Sequence, residues 1–243
     1  MNEEFRMTIR IRGALFLGLG WMLLASTGLT AQDAPPVAPP VAPTGVTVDT
    51  KTKTVRVSAK VAQRKLEHLK EVYPLEVIAG WPHPKGKKAH ETVFTIDANP
   101  SDVHAALVQL GLKPGKPHRG DGGPGTGPEV TIFAEFKGAD GVIKKLSIDK
   151  LVVDPKTKKP LPRSVKFRFT GSIQSQPDPT KDEKKYGADL TGTLIALFPV
   201  TDETVIQTNL TMKEEKYLKL DTNRDLLPAE GTAVTLILEV PGA

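Results

Sequence analysis

The chain contains no cysteine. That excludes cysteine nucleophiles, thiolate zinc sites, iron–sulfur clusters, disulfides and a lipid-modified N-terminal cysteine. The absence is unusual in a secreted eukaryotic domain and ordinary in a bacterial envelope protein of this size. Aromatic residues are scarce, at 5% of 243 residues, and the formal charge of +5 comes from 33 basic and 28 acidic residues that are spread along the chain. Nucleic-acid binders cluster Lys and Arg and interleave stacking aromatics, so nucleic acid is not an expected partner. The short runs Lys85, Lys87, Lys88 and Lys156, Lys158, Lys159 fall at turns and read as solvated loop charge. A long apolar run is missing too. Ala14 to Ser26 is thirteen residues, which as a helix spans about 20 Å against a hydrocarbon core of about 30 Å.

That short run has a context. Arg6, Arg10 and Arg12 precede it and small residues follow it, the pattern of a signal peptide over residues 1–31 with cleavage near Ala31–Gln32. The alternative is an uncleaved inner-membrane anchor. Either way the remainder is expected in the periplasm or outside the cell, touching membrane only through this N-terminal segment. Residues 32–45 are rich in Pro, Ala and Val and read as an extended spacer. Residues 46–243 are long enough to bury a core without staples.

Residues 46–61 alternate, with Val55, Val57, Ala59 and Val61 on one side and Arg56, Ser58 and Lys60 opposite, as a half-buried strand requires. Leu66, Leu69 and Val72 predict a helix over 62–73, stopped by Pro74. Leu75–Ala79 and Glu91–Asp97 read as strands. Asn99 and Pro100 then open a helix over 100–110; Asp102 suits its dipole, Val103, Ala106, Leu107 and Leu110 form its apolar face, and Gly111–Leu112 predicts a Schellman stop. Residues 113–128 hold six glycines and four prolines and read as a disordered loop, with no phosphate-binding motif. Beyond it the chain reads as β: a strand from Val130, a turn at Asp140–Gly141, a return strand over 142–148, a turn at 154–158, and strands at 165–169, 193–200 and 233–240. The expectation is an α+β, β-rich fold with a mostly antiparallel sheet of about eight strands and one helix.

The stretch from Lys87 to Gly115 combines Lys-rich sequence, His90–Glu91, a strand, and a helix carrying His104 and an Ala-Leu pair before Leu110–Gly111. This resembles the signature of the YdjY-domain family. Residues 192–197 (Gly-Thr-Leu-Ile-Ala-Leu) and 231–239 are also similar to it, so the resemblance spans roughly 46–240. It implies an exported bacterial protein from a family of unknown function, and so a compartment without an activity. Relatives described as ferredoxin-like carry a cysteine just before the Lys-rich stretch; Gly80 and Trp81 stand there in this chain, which rules that label out.

Five histidines are present: His68, His83, His90, His104 and His118. His90, Glu91 and His104 are the candidate binding residues, since two imidazoles and a carboxylate can make an open zinc site. Phe94 occupies the place of the second His of a zincin motif, and adjacent strand residues 90 and 91 should face opposite ways, which argues against a shared ion. The structural reading has His90 or Glu91 binding exposed backbone at a strand start and His104 half buried. No catalytic residue stands out: Ser101 lacks a nucleophile elbow, and Asp182–Glu183 and Glu214–Glu215 lie in charged, solvated stretches. No cofactor is implied. The expected function is a non-catalytic binding or interaction module meeting a protein or small ligand in the cell envelope; the alternative is a metal-binding protein or metal-dependent hydrolase using His90, Glu91 and His104.

Overall fold

A computed structural model describes residues 45–241; the leader and nearly all of the spacer lie outside the described residues. Ten strands build the main sheet: β1 Val46–Asp49, β2 Thr54–Val61, β3 Val77–Gly80, β4 Thr92–Ile96, β5 Glu129–Lys137, β6 Ile143–Ser147, β7 Phe167–Phe169, β8 Thr193–Ala196, β9 Ile206–Thr208 and β10 Ala233–Glu239. Eight of them form a closed ring in the order β2-β10-β5-β7-β9-β8-β3-β4, because β4 pairs back onto β2. The fold is therefore β-rich, as expected, and its sheet is a barrel.

The expectation of a mostly antiparallel sheet is corrected. The sheet is mixed: β3 runs parallel to β4, and β8 parallel to β9. Sequence periodicity reports which face of a strand is buried and carries no information on the direction of its neighbour. Ring closure comes from two strands that divide one edge between two partners. Along one edge β2 pairs with β10; along the other it pairs with β1 and then, at Ala59–Val61, with β4. β5 does the same, with β10 on one edge and β7 then β6 on the other. The β1–β2 and β5–β6 hairpins thus splay off the ring.

The alternation read from sequence is the barrel wall. Val55, Val57, Ala59 and Val61 of β2, Val130, Ile132, Ala134 and Phe136 of β5, and Val234, Leu236 and Leu238 of β10 are all buried in one core, while Arg56, Ser58 and Lys60 face out. An eight-stranded barrel is just wide enough for side chains to fill it.

Helix α1, Pro100–Gln109, buries Val103, Ala106 and Leu107 against β1, β2 and the short helix Ala188–Thr191. Burial of Val103 and of Leu107 contributes about 1.5–3 kcal/mol each. Its stop is the predicted one: Leu112 N–H donates to Leu107 O and Gly111 N–H to Val108 O, with Gly111 at φ +93°. Its start differs. Asn99 makes no side-chain cap; Asp189 accepts from Ser101 N–H at 2.9 Å instead.

Two other expectations fail. Residues 62–73 form no helix; the segment is irregular, and Tyr73 O accepts from the buried Arg64 described below. Residues 113–128 are ordered. Lys116 and Thr126 bridge, and the buried Gln207 donates to His118 O (2.8 Å) and accepts from His118 N–H (2.9 Å). Glycine here permits close approach rather than disorder: a Cβ on Gly125 would sit 2.4 Å from Gln207 Oε1.

Candidate functional site

His90 and Glu91 do not begin a strand. They occupy a 3₁₀ turn, Ala89–Glu91, that delivers the chain into β4. The turn rotates neighbouring side chains by about a third of a revolution rather than a half, so His90 Nε2 comes within 3.3 Å of Glu91 Oε1. The expectation that the two face opposite ways fails for that reason. Glu91, buried apart from a few per cent of its surface, accepts from Lys88 Nζ at 2.8 Å, and the same ammonium reaches Glu76 Oε2 at 2.5 Å.

Burial, with the second carboxylate close by, pushes the Glu76 carboxyl above its ordinary value despite the Lys88 contact. Burial alone would lower the Lys88 ammonium, but the hydrogen bonds it donates to both carboxylates outweigh it and the net shift is upward. Behind this cluster lies Arg64, only 2% exposed. Its guanidinium donates to His90 O (2.7 Å), to Tyr73 O and to Asp221 Oδ1 (3.3 Å), and desolvation holds its pKa below the usual arginine value. The Tyr73 ring meets His90 edge-on at 5.4 Å. Together these contacts staple the irregular segment 62–76 to the barrel.

His104 keeps different company. Its Nδ1 shares a 2.7 Å hydrogen bond with the Tyr186 hydroxyl, and its ring packs edge-on against Phe169 and Tyr186. Burial lowers the imidazole pKa and raises that of the phenol. Tyr186 belongs to a two-residue strand, Lys185–Tyr186, paired with Gln174–Ser175. The structure therefore joins His90 to Glu91 and ties His104 to Tyr186. Among the described residues no set of three or more His, Cys, Asp or Glu side chains is placed to hold a metal ion. No described helix is long and apolar enough to cross a membrane.

Clefts open on the outer wall. One, of about 310 Å³, lies where β6 and β7 part along β5 and is lined by Thr131, Ser147, Lys150, Arg163 and Lys166. Another, of about 420 Å³, is lined by Lys60, Leu66, Pro82, His83, Thr95 and Glu230. Sequence reasoning missed Arg64, Gln207 and Tyr186. An Arg among lysines and glutamates carries no local mark of burial; for Gln207 the only signal was a polar residue flanked by Ile206 and Thr208 in a short apolar stretch.

The family model described as YdjY domain matches residues 46–239. No curated protein and no solved structure matches the chain.

Proposed function

The chain belongs to the YdjY-domain family, and from that premise we propose that it is an exported, non-catalytic binding module of the bacterial cell envelope, working in the periplasm or outside the cell. Its leader pattern, residues 1–31, and the extended spacer over 32–45 support export. One observation carries the non-catalytic reading: the residues best suited to chemistry already spend their polar atoms on the fold. Glu91 holds Lys88, His90 Nε2 lies 3.3 Å from Glu91 Oε1, and His104 Nδ1 is bonded to Tyr186. The barrel interior is filled by its own side chains, so a protein or small-ligand partner would meet the outer wall.

Fractionation of cells expressing the full chain, with an intact-mass measurement, tests export. A periplasmic or extracellular species starting at Gln32 is expected, and full-length protein free in the cytoplasm refutes it. A metal-dependent hydrolase using His90, Glu91 and His104 is the second reading; the 3.3 Å His90–Glu91 contact supports it, and the bond of His104 to Tyr186 does not. Hydrolytic turnover that needs added zinc and vanishes in Glu91→Gln would put that reading first.

A further inference from the structure

Two of the five histidines play no part in the clusters above, yet they lie together. His68, in the segment stapled by Arg64, and His83, just after Trp81, are both exposed, and their ring centres are 4.9 Å apart with planes inclined by 33°. Neither ring hydrogen-bonds to protein or enters an ion pair among the described residues, so their nitrogens are not committed to the fold. We propose that His68 and His83 form a two-imidazole site for a divalent transition-metal ion, with copper(II) preferred and zinc(II) next.

The spacing supports this quantitatively. An imidazole nitrogen about 2.05 Å from such an ion places its ring centre about 3.2 Å away. Two rings held at an angle of about 100° then lie about 4.9 Å apart, centre to centre. Imidazole suits copper and zinc, and copper(II) heads the divalent affinity order.

Their backbones do not drift. Segment 62–76 is held by the buried Arg64, and Trp81 is fixed by donating Nε1–H to Ala98 O at 2.9 Å. The neighbouring cation is drawn away, because Lys85 Nζ sits 3.2 Å over the Trp81 ring rather than against the imidazoles. The remaining coordination positions are left to water or to a donor atom from a guest. His83 also lines the 420 Å³ cleft beside Leu66, Pro82 and Glu230, so an ion held there would give the cleft a Lewis-acidic edge for a carboxylate or imidazole-bearing ligand. The site stands independently of the export reading and of His90, Glu91 and His104.

The test is titration of the full chain with copper(II) and, separately, zinc(II), by calorimetry and, for copper, by electron paramagnetic resonance. One tight equivalent is expected at pH 7.5, with nitrogen hyperfine structure from two ligands. His68→Ala and His83→Ala should each lose that equivalent while keeping the wild-type circular dichroism spectrum, and His90→Ala should retain it. No tight equivalent in the wild-type chain overturns the proposal. So does a first equivalent that survives His68→Ala or His83→Ala.

Discussion

Replacing Arg64 by Met probes the staple on which segment 62–76 depends. Met is of similar length and apolar, so the change removes three donors with little loss of volume. The carbonyls of His90 and Tyr73 lose a charged donor, each such bond contributing about 1.5–3 kcal/mol. Asp221 is 29% exposed and rehydrates, so its share is about 0.5–1 kcal/mol. Against this, burying a guanidinium costs several kcal/mol, which the Met variant avoids. The balance is a loss of about 2–3 kcal/mol, or about 5–10 °C in Tm for a chain of this size. Urea unfolding followed by circular dichroism reads the global term, and limited proteolysis between residues 65 and 73 reads the local one. Arg64→Lys should fall between, because one ammonium cannot serve acceptors arranged for a planar fork. A Met variant as stable as wild type, with unchanged cleavage in that segment, refutes the staple.

Other outcomes follow from the same packing. Gly192 has φ +72°, and a Cβ there would lie 2.6 Å from Trp81 ring atoms; Gly192→Ala should therefore cost about 2–4 kcal/mol, measured by urea midpoint. Gln207→Ala frees both backbone groups of His118 and should raise amide exchange across 113–128 while leaving β10 protected. His104 has a lowered pKa in the fold, so the folded state prefers the neutral ring. That stability is fully present above the ordinary histidine value near 6.5 and is lost as pH falls through the lowered one. Tyr186 touches the ring and Asp189 lies near that phenol. Thermal melts from pH 7.5 to 5.5 should decline more steeply for wild type than for His104→Gln.

What could be read in advance was local. The α1 stop at Gly111, the turn at Asp140–Gly141 and the alternation of β2, β5 and β10 each rest on residues within a few positions of one another, and each is present in the fold. What could not be read depends on partners far apart in the chain. The parallel β3–β4 and β8–β9 pairings and the return of β4 onto β2 are set by register across the barrel. The cap of α1 comes from Asp189, 88 positions beyond Ser101. Segment 62–73 is tied down by Arg64, whose acceptor His90 O lies 26 positions on, and the glycine-rich loop is ordered with Gln207, 89 positions beyond His118. At the candidate site the identities of His90, Glu91 and His104 were legible. The 3₁₀ turn that brings the first two together, and the Tyr186 bond that engages the third, were not.

The position of β10 bears on how the barrel comes into being. This strand, at residues 233–239, lies between β2 and β5, both of which end more than ninety positions before it begins. A polypeptide emerging N-terminus first, whether from a ribosome or from a translocation pore, has both flanking planks in place long before the one that joins them. It must wait with the backbone N–H and C=O groups of those edges unpaired until the last plank is delivered. Assembly of such a ring is late and nearly all at once, and the waiting interval is when a chaperone would have most to protect.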